Sequence, residues 1–271
     1  MDYFGDGINM SANQQVLAAI EKAKSQKEFT TQGTYSFVVP SGVTRISAVT
    51  IGGGGCTLTG GNRGGGGALS YANNITVTPG ETLTVTVGAP GYYVSGSGVV
   101  NGSESSLKRG STVLCSAAAA LGSVGGLTGV GTVFAGGNST GGNDSLSQYA
   151  GGGGAGGYSG VGGNGSYLNA TDGAGGGGGG GIAGCGGGGT GIYGQGPNGA
   201  KGSEYGYPGG GGGSGGTAGT TTSSDPRNHG GSFGGGAGQY VTTNLFAGGG
   251  AVRIIWPGNL RRFPSTRTAD E

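Results

Sequence analysis

Apolar and polar residues alternate with a period of two through much of the first 120 positions, the spacing of half-buried β-strands. Tyr35, Phe37 and Val39 share one face of a predicted strand, and Pro40-Ser41-Gly42 supplies the turn after it. Thr44 to Ile51 predicts a second strand whose poor alternation points to burial on both faces, and it ends at Gly52 to Gly55. The clearest alternation sets Leu83, Val85 and Val87 against Thr82, Thr84 and Thr86, preceded by Ile75, Val77 and the turn Pro79-Gly80. Val113 to Ala120 predicts another apolar strand, and Val252, Ile254 and Trp256 the last. A strand at 251–256 cannot be stable alone, and the only sheet it can join precedes residue 121. The stretch between them therefore reads as an insertion pinned at both ends.

Near the start of the chain the period changes. Ser11 with Gln14 fits a capping box, and Val16, Leu17, Ile20 and Ala23 follow at helical spacing, so a short helix is predicted from Ser11 to about Lys24. Its apolar stripe is too narrow for a domain core. Residues 1–28 are accordingly assigned as an attachment segment, with Val16, Leu17 and Ile20 as its contact residues.

Composition separates the insertion from the rest. Of 77 glycines in 271 residues, 55 fall between residues 122 and 250. Collagen would require glycine at every third position and abundant proline, and neither is present. The runs Gly151 to Gly154, Gly175 to Gly181 and Gly209 to Gly213 instead suit extended left-handed helices of the polyproline II shape, packed backbone to backbone with a core of peptide groups. Isolated large residues punctuate the runs: Tyr158, Tyr167, Ile182, Ile192, Tyr193, Tyr205, Tyr207, Phe233 and Tyr240. A flexible linker has no use for them, so ordered packing is expected, with these side chains at its rim, its ends or its junction with the sandwich. The resulting divisions are 1–28 helical attachment, 29–121 with 251–256 β-sandwich, 122–250 polyglycine-II insertion, and 257–271 an extended C-terminal arm.

Charge and chemistry narrow the function. A net charge of +1 with 9% charged residues is too weak a field for steered binding to nucleic acid or an anionic membrane. No apolar stretch reaches the roughly 20 residues of a membrane span and no leader pattern opens the chain, so it reads as soluble. Cys56, Cys115 and Cys185 are widely spaced and suit buried free thiols. Gly194-x-Gly196-x-x-Gly199 matches a dinucleotide fingerprint by chance, lacking any strand-then-helix context, and Lys201 is followed by glycine rather than the serine or threonine of a phosphate loop. One histidine, His229, excludes a multi-histidine metal site. No enzyme, metal or cofactor is expected. Between Gly219 and Gly230 glycine gives way to Thr, Ser, Asp, Pro, Arg, Asn and His, a loop of varied hydrogen-bonding groups. Tyr205, Tyr207, Asp225, Asn228, His229 and Phe233 are thus candidate receptor-binding residues; the same composition equally suits a solvated connection between glycine helices.

Three stretches carry a family resemblance. Thr34-Tyr35-Ser36-Phe37-Val38-Val39-Pro40-Ser41-Gly42-Val43-Thr44, followed by Ile51-Gly52-Gly53-Gly54-Gly55, resembles the opening of glycine-rich domains of phage tail proteins. Ile75 to Gly88 is similar to their next hairpin, and Gly250 to Trp256 with Arg262-Phe263-Pro264-Ser265-Thr266 to the C-termini of virion proteins in T4-like phages of cyanobacteria and other marine bacteria. The resemblance spans roughly residues 30–267. It implies an all-β fold, a jelly-roll-like β-sandwich with an inserted polyglycine-II helix bundle, to which the sequence adds the short N-terminal α-helix. It also implies a tail fibre or baseplate-associated adhesin that displays glycine-region loops to a host surface glycan or outer-membrane protein. Such a chain would reside in the virion, contact other virion proteins through its N-terminal helix, and form a homo-oligomer, a trimer by analogy. A non-adhesive baseplate, neck or capsid-decoration subunit is the alternative, and a polysaccharide depolymerase the minor one.

Overall fold

In the computed structural model, residues 25–57, 63–94, 98–140, 150–181, 185–202, 209–220, 229–238 and 245–265 are described. The helix expected from Ser11 to Lys24, with Val16, Leu17 and Ile20, lies outside these residues. All regular structure among them is β. The strands are β1 (Ser25–Phe29), β2 (Gly33–Val38), β3 (Arg45–Ile51), β4 (Leu69–Thr76), β5 (Thr82–Val87), β6 (Tyr92–Val94), β7 (Gly98–Val100) and β8 (Ser105–Arg109). They continue with β9 (Thr112–Ala117), β10 (Gly129–Val130), β11 (Thr132–Phe134), β12 (Ser139–Thr140), β13 (Gly165–Ser166), β14 (Leu245–Phe246) and β15 (Ala251–Trp256).

Two five-stranded antiparallel sheets, β1-β15-β3-β4-β11 and β10-β9-β8-β5-β2, form a sandwich. Each contributes alternate side chains to one shared core: Ile46, Ala48, Val252, Ile254 and Trp256 from the first, Phe37, Leu83, Val85, Leu107 and Cys115 from the second. Alternation therefore identified the inward faces of β2, β5 and β15. The last strand does join the early sheet, between β1 and β3, with Ala251 opposite Ile51. One boundary moves: residues 25–28, assigned to the attachment segment, belong to the sheet, because β1 pairs with β15 along its whole length.

The first sheet is covered on its other face as well. Val49, Ile51, Leu69, Ala251 and Ile255 pack against Tyr158 and Ile192 from the glycine region and Phe263 from the chain beyond β15. Tyr158 and Phe263 stack with ring centroids 5.9 Å apart. Residues expected at the junction with the sandwich do lie there, and the two-faced burial predicted for Thr44 to Ile51 follows from it. The C-terminal arm is docked on this face as far as residue 265. Asn73 donates from Nδ2 to the Phe263 carbonyl (2.6 Å) and accepts at Oδ1 from the Phe263 N–H (2.9 Å), and Ser47 Oγ donates to the Arg261 carbonyl (2.9 Å). Burying the Phe263 ring makes the docked path the favourable one.

At the centre of this face stands a charge. Arg253 is fully buried on β15. Its Nη1 donates to the Ile192 carbonyl (3.1 Å), Nη2 donates to Gln26 Oε1 of β1, and Nε lies 3.8 Å from Glu28 Oε1. The Tyr193 ring covers the guanidinium at 4.6 Å and its hydroxyl donates to Glu28 Oε2 (3.1 Å). Burial lowers the Arg253 pKa, the Arg261 charge adds to that, and Glu28 opposes it. One side chain thus ties β15, β1 and the glycine region together.

The glycine segments carry few strands, yet they are densely hydrogen-bonded. Gly152, Gly153 and Gly154 donate to the carbonyls of Cys185, Gly64 and Gly163, each at 2.8 Å, and Ala155 and Gly156 then donate to Gly188 and Gly67 at 3.0 and 2.9 Å. Each neighbour is met again after three residues, with its own register advanced by three for the segments at 185 and 64 and set back by three for the segment at 163, which Gly157 meets at the Gly160 carbonyl. Gly186 and Gly189 reach Thr220 and Thr217, and Gly187 and Thr190 reach Gly236 and Phe233, the same three-residue interval with the neighbours running in the opposite direction. Gly52 to Gly55 and Gly64 to Gly67 belong to the same network, so glycine packing begins well before residue 122.

Cys56, Cys115 and Cys185 are buried free thiols. Burial raises Cys56 to about 12 and Cys115 and Cys185 to about 11, from 9.0. Above pH 9 the unfolded chain releases these protons and the folded one retains them, so stability is constant below pH 9 and falls between 9 and about 11. Each thiol contributes a slope of about 1.4 kcal/mol per pH unit there. Urea midpoints should drop steeply between about pH 9 and 11, and replacing all three cysteines with alanine should flatten that part of the profile. An equally steep profile without them would refute the assignment.

Candidate functional site

Beside the sandwich lies a three-stranded sheet, β14-β6-β7. Antiparallel pairing sets directly opposite residues on one face. Leu245 pairs with Tyr93, and both turn inward against Cys56, Ala237 and Ala247. Phe246 pairs with Tyr92, and Tyr92 with Val100, so these three share the outer face. Phe246 is 40% exposed and Val100 41%, both large apolar side chains left open to water.

His229 extends the row. The Phe246 N–H donates to His229 Nδ1 (3.0 Å), and the Gly230 N–H donates to the Phe246 carbonyl (3.0 Å), so residues 229–230 lie against β14 as a further edge. On the other side His229 exchanges backbone bonds with Thr220, its N–H reaching Thr220 Oγ1 at 2.7 Å and its carbonyl accepting from the Thr220 N–H at 2.9 Å. An imidazole that accepts at Nδ1 carries its proton on Nε2 when neutral. Centroids of Tyr92 and Phe246 are 6.2 Å apart, and those of Phe246 and His229 5.6 Å. The outer face thus reads Val100, Tyr92, Phe246, His229, with no Asp, Glu, Lys or Arg anywhere in β6, β7 or β14.

Of the six residues nominated from the sequence, Tyr205, Tyr207, Asp225 and Asn228 lie outside the described residues. His229 stands in the aromatic row. Phe233 does not: its side chain packs against the cluster between the sheet and the glycine region, and its backbone exchanges bonds with Thr190 at 2.9 and 3.3 Å. It is a packing residue, because a ring of that size finds an apolar surface within reach. Tyr92, Val100 and Phe246 were not nominated. The adjacent large residues Tyr92-Tyr93 and Leu245-Phe246 were the available signal, but only strand register shows which member of each faces out. Among the described residues no group of three or more His, Cys, Asp or Glu side chains is placed to hold a metal ion.

No protein-family model matches this chain, and no curated protein sequence matches it.

Proposed function

We propose that this protein is a structural and adhesive component of a tailed-phage virion, associated with a tail fibre or the baseplate, whose work is assembly and binding rather than catalysis. The observation that carries this reading is the architecture: a sandwich whose last strand closes a sheet begun two hundred residues earlier, with the intervening glycines bonded to one another at a three-residue interval. That interval is the period of a polyproline II helix, which supports a polyglycine-II bundle as the finer description of the glycine region and a jelly-roll-like description of the sandwich. A core of peptide groups gives a stiff body with few apolar side chains, suited to presenting a surface outside a cell. The resemblance of residues 30–267 to glycine-rich virion proteins points the same way, and by analogy the assembly is a homotrimer joined to other virion proteins through the N-terminal segment.

Gold-labelled antibody against the chain, applied to purified virions in negative stain, tests the proposal. Label at fibre tips or baseplate is the expected result. Label confined to the head or neck would support a non-adhesive subunit instead, and virions that contain none of the chain would remove the reading altogether.

A further inference from the structure

We propose that the outer face of the small sheet is a binding platform for a neutral sugar ring, stacked on Tyr92 and Phe246 with His229 at its edge. The inference rests on the adhesin reading above and names the ligand class for one surface of it. Three observations select a saccharide. First, the row is aromatic and open: rings of Tyr92, Phe246 and His229 follow one another at 6.2 and 5.6 Å, and Phe246 is 40% exposed. An aromatic face takes the C–H side of a pyranose, while a tyrosine hydroxyl and an imidazole nitrogen are groups that bond its hydroxyls. Second, no Asp, Glu, Lys or Arg occurs in the three strands, and the one imidazole of the row is engaged at Nδ1 by the Phe246 N–H, so among the described residues no set of cations is placed there to balance a phosphate or sulfate. Third, the face is small among the described residues. A fully exposed aromatic side chain presents about 150–250 Å², so the four side chains at these exposures offer roughly 300 Å², against the roughly 800 Å² per partner of a stable protein interface. A single sugar unit fits that area and a protein partner does not.

The row is also held in place. The Phe246 backbone is bonded on one side to Tyr93 and Tyr92 through β6 and on the other to His229 and Gly230, so the platform exists before any ligand arrives.

Saturation-transfer NMR on the full chain, with the methyl pyranosides of glucose, galactose and mannose, with N,N'-diacetylchitobiose, and with dextran sulfate as anionic counterpart, provides the test. Transfer to the ring protons of at least one neutral glycoside is expected. Phe246→Leu, which keeps apolar volume but removes the ring, should weaken that binding about tenfold, and Tyr92→Ala likewise, whereas Leu260→Ala, an exposed residue elsewhere, should leave it unchanged. Absence of transfer from every neutral glycoside, binding of the sulfated polymer alone, or binding indifferent to Phe246→Leu in a folded chain would each overturn the proposal. Virions that carry the chain while the isolated chain ignores these glycosides would cost the sugar assignment only. Sugar binding by a chain that virions lack would instead sustain the platform and cost the virion reading.

Discussion

Gly177→Ala should destabilise the fold by more than about 3 kcal/mol, although it adds a single methyl group. A Cβ at position 177 would lie 1.9 Å from the Gly188 carbonyl oxygen and 2.3 Å from its carbon, where contact between carbon and oxygen ordinarily begins near 3.3 Å. The obstacle is backbone, which cannot rotate away as a side chain would. Gly177 is also engaged on both sides, donating to Ala155 O (3.0 Å) while its carbonyl accepts from Gly163 (2.9 Å), so displacing it disturbs two neighbouring segments. Two other glycines calibrate the result. At Gly215 a Cβ meets nothing within 4 Å, but φ is +82°, a conformation costing an L-residue about 1–2 kcal/mol. At Gly249 the nearest atom is Pro90 Cδ at 3.8 Å and φ is not positive, so alanine should fall within about 1 kcal/mol of wild type. Urea denaturation of the three variants should therefore rank them 177, 215, 249 in order of damage. Equal midpoints for the first and last would show that the glycine segments are not packed at contact distance.

Arg253→Ala is expected to cost about 3–5 kcal/mol. The substitution opens a cavity at the fully buried centre of the junction and leaves the Ile192 carbonyl and Gln26 Oε1 without their donor. Arg253→Met separates volume from charge: it refills the space, and Glu28, partly exposed, can turn to water. The methionine variant should lose about 1–2 kcal/mol, the cost of the lost donations from the guanidinium alone. Denaturant midpoints decide it, with amide exchange of β1 as a second measurement, since Gln26 and Glu28 lie on that strand. If alanine costs less than about 1 kcal/mol, the arginine does not hold the junction.

How legible these features were in the sequence depended on whether a pattern or a register specified them. Phe37, Leu83, Val85, Val252 and Ile254 face a core between two sheets, so burial imposes alternation and the strands could be read. Ser25–Phe29 has one apolar residue in five, because as an edge strand it is selected by ladder bonds and by the partners of Arg253; neither leaves a periodic trace. Gly52 to Gly55 looked like a strand end because a glycine run carries no sign of what packs on it. His229 stood out by chemistry, whereas Phe246, bonded to it 17 positions away, could not be found without the register of β14 on β6. Phe233 shows the converse limit, since composition does not separate a ring displayed on a loop from one that, like this one, packs partly buried against a sheet.

The pairing of Ile51 with Ala251 carries a consequence for how the chain is made. β15 is a central strand, flanked by β1 and β3, yet it emerges from the ribosome long after both. Until then β3 is an unprotected edge with apolar residues on each face, a template for pairing with any other nascent chain. Closing a loop of that length also places the fold at the slow end of the contact-order scale. Glycine is the commonest residue of the interval, and its runs, lacking side chains, make a poor nucleus for premature pairing. Completion of the sheet thus marks the end of a long vulnerable period in synthesis, and raising the rate of translation or the level of expression should raise the aggregated fraction out of proportion to the folded one.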